Sequence, residues 1–252
     1  TVGVVSSETG DPNTDVVEVT PYRIEGKYSD KRHPDEIHFT QNIEEDLARR
    51  DFTINALAFN TTKGQLIDLY GGVKDIESKT LRAVGNPKDR MSEDALRILR
   101  AIRFNAQLEF ALDADLAAVL HETSHLFAKI SSDRIRDEFN KLIQSAGAVQ
   151  GLELARILGI LPHFLPELEE GYGVEQNGDH IYDVWEHNLR ALGHAIAREW
   201  PLHVKLGALF HDIGKPATRL WNKEKGDWTF YGHDVVGARM TAKIMARLHY
   251  GA

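Results

Sequence analysis

The apolar positions change period about a quarter of the way along the chain. Val2 to Ser6, Val16 to Tyr22 and Thr53 to Phe59 have the β-branched and aromatic content of strands, with a turn at Gly10 to Asn13. Between them GKYSDKRHPDE, Gly26 to Glu36, is polar, holds Gly and Pro, and reads as a loop. After Lys63 helical periodicity takes over, with helices expected near 92–105, 113–128, 132–145, 147–159, 183–198, 202–211 and 233–248. The Pro-, Gly- and acid-containing stretch from Pro162 to Gly178 marks a second boundary. The expected fold class is α+β, in three parts: a β-containing head over 1–62, a helical middle over 63–165 and a helical C-terminal part over 179–252.

One stretch departs from a plain scaffold pattern. In SEDALRILRAIRF, Ser92 to Phe104, the Ser is a good N-cap, and Glu93 and Asp94 favour the positive end of a helix dipole. Leu96, Leu99 and Ile102, with Ala95 and Ile98 alongside, form an apolar stripe. The other face carries Asp94 and Arg97 at i, i+3, then Arg100 and Arg103. Charge pattern alone favours an ordinary surface helix laced with ion pairs. A carboxylate beside a guanidinium, however, also matches the Watson–Crick edge of a base, because it offers acceptors and a donor fork together.

Composition narrows the choice. The chain of 252 residues carries a net charge of −8, which does not advertise nucleic-acid binding over the whole surface. Between Arg49 and Phe104, eleven Lys and Arg face seven Asp and Glu, a local positive excess that suits a phosphate-rich ligand. With no Cys there are no disulfides and no thiolate metal sites. No apolar run reaches about 18 residues, so no membrane span is expected and the chain reads as cytoplasmic.

RRDFTINALAF, Arg49 to Phe59, sets two arginines and an aspartate before an apolar segment. Arg49 and Arg50 suit a triphosphate clamp, and Asp51 suits orienting an arginine or accepting from a ribose hydroxyl; a solvated charge cluster closing a helix is the alternative. Asn55 needs a partner if buried.

RRDFTINALAF, the Gly71-Gly72-Val73-Lys74-Asp75 turn, EDALRILRAIRF and SSDRIRDEFNKLI (Ser131 to Ile143) together resemble, in order and spacing, the bacterial-type tRNA nucleotidyltransferases, which share a sequence class with bacterial poly(A) polymerases. The resemblance covers about residues 1–165 and implies addition of CCA to the tRNA acceptor end from CTP and ATP, with Mg2+ at the polymerase site. It implies that Arg49, Arg50, Asp51 and Asn55 contact the nucleotide and that Asp94 and Arg97 pair with its base, with Arg100 and Arg103 nearby. Arg134, Arg136 and Glu138 would lie on a helix supporting the base-reading helix, and YSDKRHPDE, with Asp30 and Arg32, resembles the flexible loop used to switch from C to A addition.

One departure is plain. The family holds its metals on a D-x-D pair upstream of a strand like Val2 to Ser6, and that segment is not in this sequence, which reads as truncated at both ends. Glu18, on a central strand, is the position that could add a further carboxylate near the metals. In the C-terminal part His187, His211-Asp212 and His233 follow the order of an HD-type metal site, resembling HD domains; such ligands suit Mn, Fe, Ni or Zn, and Lys215 sits where a phosphate would approach. Two other readings stay open: a poly(A) polymerase, and a metal-dependent phosphohydrolase whose N-terminal half binds RNA.

Overall fold

The computed structural model describes residues 1–5, 16–26, 36–178 and 180–251. Asp30, Arg32 and the Gly10 to Asn13 turn lie outside the described residues. Strands β1 (Val2–Val5) and β2 (Val16–Val19) form an antiparallel hairpin, and β3 (Arg23–Glu25) and β4 (Ile37–Phe39) a second one. Helix α1 (Ile43–Ala48) follows, capped by Asn42, whose side chain accepts from Glu44 N. Thr53–Asn55 is a 3-10 turn, so only the end of the expected strand is extended: β5 (Leu57–Asn60) pairs antiparallel with β6 (Gln65–Asp68). Within that turn the Thr53 hydroxyl donates to Asp75 Oδ2 at 2.5 Å.

The Gly-Gly connection opens helix α2 (Gly72–Glu77). Gly71 adopts φ 76°, which favours glycine, and a Cβ on Gly72 would stand 2.4 Å from the Thr53 carbonyl oxygen, so the first glycine is required by its backbone conformation and the second by backbone contact. Asp68 accepts from Gly72 N and Val73 N, which fixes the turn.

Strand β7 (Thr80–Leu81) leads into helices α3 (Pro87–Glu93) and α4 (Leu96–Leu108). The expected single helix starting at Ser92 is therefore two. Asn86 caps α3 by accepting from Lys88 N and Asp89 N, and Pro87 occupies its first turn, so Ser92 falls near its end. The chain breaks at Asp94 (φ −135°, ψ 104°), whose Oδ1 accepts from Leu96 N at the start of α4. The apolar stripe of α4 is buried as its spacing predicts, Leu99 and Ile102 completely.

Strand β8 (Ala111–Leu112) pairs parallel with β7. The helical part continues through α5 (Ala114–Thr123), α6 (Ser132–Gln144), α7 (Ala148–Ile157), α8 (Pro166–Glu169), α9 (Val184–Ala197) and α10 (Leu202–Phe210). Helix α11 (Lys215–Thr218), the hairpin of β9 (Leu220–Asn222) and β10 (Asp227–Thr229), and α12 (His233–Arg247) close the fold. One core joins Phe52, Leu99, Phe139, Leu152, Leu189 and Leu248. Phe164, Leu165 and Leu168, within the stretch expected to divide the helical parts, belong to that core.

Candidate nucleotide site and metal centre

Four separate pieces of chain meet at a cavity of about 680 Å³: the β3–β4 hairpin, the segment after α1, the start of α4, and α6. Arg49, Arg50, Asp51, Asn55, Asp94, Arg97 and Arg100 all line it. Arg23, Glu25, Phe104 and Arg134 join them. Arg23 and Glu25 are two apart on a strand and so share a face, a signal too common to mark them in advance.

Every cation here is held by an acid or a carbonyl. Arg49 donates to Asp46 Oδ1 at 2.6 Å and to Glu25 Oε1 at 2.9 Å, which leaves its position fixed at the cavity wall. Arg50 donates to Asp46 Oδ2 at 2.9 Å, while its Nε is buried without a partner among the described residues. Asp51 accepts from Phe52 N and Asn55 Nδ2 on one oxygen and from Arg100 Nε, at 2.7 Å, on the other. Burial works to raise the Asp51 carboxyl, but the Arg100 guanidinium and the hydrogen bonds outweigh it and hold it below the usual carboxylate range. Asn55 thus has the partner that its position requires.

Asp94 and Arg97 occupy the same wall; the Arg97 backbone N–H donates to the Asp94 carbonyl at 3.0 Å, while their side chains bond elsewhere. Arg97 donates to Glu93 Oε2 at 2.5 Å and to the carbonyls of Arg90 and Arg49. Asp94 takes a guanidinium fork from Arg134, at 3.1 Å to Oδ1 and 2.6 Å to Oδ2. Helix α6 therefore touches the break between α3 and α4 directly through Arg134.

Other expected positions lie elsewhere. Arg103 is buried beneath the cavity, donating to Glu138 Oε2 at 2.6 Å and stacking over Phe104 at 3.9 Å. Glu138 is 3% exposed and also accepts from Lys141. Arg136 faces away, pairing with Asp133 and Asp137 and donating to the His249 carbonyl. Glu18, on β2, is exposed and does not line the cavity. The carboxylates at the cavity are each engaged by an arginine, so the residues present do not fit a pair of Mg2+ ions.

The C-terminal constellation does converge. Among the described residues, His187, His211 and Asp212 form the one group of three such side chains able to hold a metal ion, with ligand atoms within 4.8 Å of one another. His233 Nε2 lies 3.4 Å from Asp212 Oδ1. Gly214 permits the close packing, because a Cβ there would stand 2.2 Å from the His233 carbonyl oxygen. The donor set fits a divalent ion. His211 Nδ1 and His233 Nδ1 each lie 2.8 Å from a backbone carbonyl, of Ala208 and Phe230, and a carbonyl only accepts, so in the neutral ring Nε2 keeps its lone pair. Burial and the neighbouring His211 push the His187 pKa down, whereas a hydrogen bond to Asp212 pushes the His211 pKa up. Burial would raise the Asp212 carboxyl, yet bonds from His211 and Lys215 hold it well below its usual range. Lys215 is buried and donates to Asp212 Oδ2 at 2.7 Å and Gln176 Oε1 at 2.6 Å.

A strand-containing head, a cavity lined by arginines where the head meets α4 and α6, and a histidine–aspartate cluster thus follow one another along the chain. The family "Poly A polymerase head domain" matches residues 2–82, "Probable RNA and SrmB- binding site of polymerase A" matches 109–171, and "HD domain" matches 179–250. The chain belongs to the poly(A) polymerase family of nucleotidyltransferases, which includes the CCA-adding enzymes.

An A-adding tRNA nucleotidyltransferase of Deinococcus radiodurans is 37% identical over 217 residues, covering 82% of this chain and 49% of that one. A CCA-adding enzyme of Ligilactobacillus salivarius is 47% identical over 136 residues, covering 54% and 33%. The structure of a Bacillus stearothermophilus CCA-adding enzyme in complex with CTP superposes with a TM-score of 0.57 at 27% identity, covering 99% of this chain and 63% of that one. The chain thus spans about half the length of the first relative and a third of the second.

Proposed function

We propose that the protein is a template-independent nucleotidyltransferase that adds CCA to the tRNA 3′ end from CTP and ATP and releases pyrophosphate. The observation that carries this reading is the meeting of Asp94 and Arg97 with Arg49 and Arg50 in one cavity, a base-reading pair beside a phosphate clamp. Cytosine and adenine each present an amino donor next to a ring-nitrogen acceptor; guanine and uracil present the reverse. A carboxylate that accepts and a guanidinium that donates therefore admit C and A and refuse G and U.

Asp94 Oδ1 is filled by Arg134 and Leu96 N, so Oδ2 keeps the lone pair available to the base amino group. Arg97 would donate to the ring nitrogen. Arg50, with its buried unpartnered Nε, would donate to triphosphate oxygens, and Asp51 holds Arg100 toward the same space. The RNA 3′-hydroxyl would attack the α-phosphate in line, displacing pyrophosphate. Mg2+ belongs to this chemistry, but the cavity carboxylates do not fit it. The helical body over 109–171 would hold the tRNA acceptor stem by shape and backbone contacts.

At the second centre His187, His211, Asp212 and His233 would hold a Mn, Fe, Ni or Zn ion, which when bound supplies an activated water for phosphoester attack. No helix among the described residues is long and apolar enough to cross a membrane, and the cytoplasm, where tRNA is matured, is the expected location. A second reading, addition of A alone to a tRNA already ending in CC, is favoured by the A-adding relative, whose match runs through 82% of this chain. Arg97→Ala is expected to lower incorporation by 10- to 100-fold and to blur base choice, whereas His211→Ala leaves incorporation intact; the opposite pattern in the full-length protein would overturn the polymerase assignment.

A further inference from the structure

The charges around the nucleotide cavity fail to balance at one place. Arg97 is answered by Glu93, Arg100 by Asp51 and Arg134 by Asp94. At the wall shared by β3 and the segment after α1, three guanidiniums, of Arg23, Arg49 and Arg50, meet two carboxylates among the described residues, those of Glu25 and Asp46. Burial works to raise the Asp46 carboxyl, but hydrogen bonds from Arg49, Arg50 and the Arg23 backbone outweigh it and hold it below the usual carboxylate range. The three arginines differ in what they have left to donate. Arg49 is engaged at all three nitrogens, Nε and Nη2 on Asp46 and Nη1 on Glu25, and its side chain is 17% exposed. Arg50 uses Nη2 on Asp46 and has no partner at Nη1 among the described residues. Arg23, with a side chain 37% exposed, donates from Nε to Glu25 Oε1 at 2.8 Å and sets Nη2 2.7 Å from the same oxygen, and its Nη1 likewise has no partner there. The strand supplies the aim: Arg23, Glu25 and, opposite Glu25, Ile37 share one face of the β3–β4 hairpin, and all three line the cavity. Arg23 N also donates to Asp46 Oδ1 at 3.2 Å, which ties the strand to the carboxylate that carries Arg49 and Arg50.

We propose that Arg23 is a substrate-binding residue of this site: held on its strand by Glu25, it presents Nη1 to the terminal phosphates of the incoming nucleotide, as a third arm beside Arg49 and Arg50. The inference rests on the nucleotidyltransferase reading. The base edge belongs to Asp94 and Arg97, where each cation already has an acid of its own. The negative charge of a nucleoside triphosphate is densest at its β- and γ-phosphates, and a wall with one guanidinium in excess is where that charge is best neutralised. A guanidinium anchored through Nε and Nη2 keeps its plane fixed, so it loses little freedom when Nη1 meets a phosphate oxygen. Arg23 reads no base, because the phosphates are common to every nucleotide.

The test is calorimetric binding of CTP and of CMP to the full-length protein, together with kcat and KM for CTP, ATP and tRNA lacking its 3′ end. Arg23→Gln is expected to weaken CTP binding about tenfold or more, while CMP, which lacks the terminal phosphates, binds within about twofold of wild type. KM for CTP and for ATP should rise together, and the CTP:UTP ratio of kcat/KM should not move. Arg23→Lys, which keeps the charge without the fork, should recover part of the loss. A purely structural role for Arg23 would weaken CTP and CMP alike. That result, unchanged CTP binding, or a rise in the KM for tRNA alone overturns this inference and leaves the nucleotidyltransferase reading standing. A wild-type protein that neither binds CTP nor incorporates it overturns that reading and this inference with it. Melting curves identify a variant that fails to fold, and Arg23→Lys, with a CTP affinity below wild type and an unchanged CMP affinity, then carries the comparison.

Discussion

Arg103→Met offers a test of how the cavity is held up from beneath. Glu138 on α6 is 3% exposed and Arg103 on α4 is 7% exposed, and they meet at 2.6 Å between the two helices. Removing the guanidinium while leaving the carboxylate strands a buried charge, which typically costs about 3–5 kcal/mol. Lys141 Nζ at 2.9 Å still partners Glu138, and Arg100 lies 3.8 Å away, so the lower end of about 3 kcal/mol is expected. For a chain of this size that corresponds to a melting temperature lower by about 6–12 °C. Replacing both partners, Arg103→Met with Glu138→Leu, should recover most of the loss, because a packed apolar pair needs no desolvation of charge. The assay is a double-mutant cycle by thermal or urea unfolding. A single variant within about 0.5 kcal/mol of wild type, or a double variant worse than the sum of the singles, would refute the reasoning.

Acid should weaken the cavity wall through Asp51. Its folded pKa lies below the ordinary value of 3.8, so its stabilisation is fully present above that value and is lost as pH falls through the lower folded one. Melting between pH 6 and 2 should show this acid limb, and Asp51→Asn should flatten it while costing stability at pH 7 through the unpaired Arg100. At the second centre, His211→Ala should reduce Mn or Zn binding, measured by calorimetry, by 10-fold or more. In the wild type that binding should fall as pH drops, His211, whose pKa is raised, protonating before His187, whose pKa is lowered, since protonated rings cannot ligate.

The parts of the fold set by local period were readable in advance. Leu96, Leu99 and Ile102 lie at helical spacing and are buried, and α6, α7, α9, α10 and α12 fall within a residue or two of their expected spans. The start of α4 was not, because Asn86-Pro87 upstream is itself a strong helix opening and moves Ser92 to the end of a separate helix. At the site, Arg100 binds Asp51 across 49 residues of sequence and Arg134 binds Asp94 across 40, and neither pairing has a spacing signature. Family resemblance grouped Arg49 to Asp51 with Asp94 and Arg97. It did not single out Arg23 and Glu25, whose three-residue strand is too short to give a periodic signal, or Phe104, to which no role was assigned.

The central claim is that this cavity reads C and A without a template. The full-length protein incubated with tRNA lacking its 3′ end should, when offered CTP and ATP together, yield the tRNA extended by CCA. CTP alone should stop after CC, and UTP or GTP should add nothing. Tails of A alone, or no extension with any nucleotide, would contradict the account.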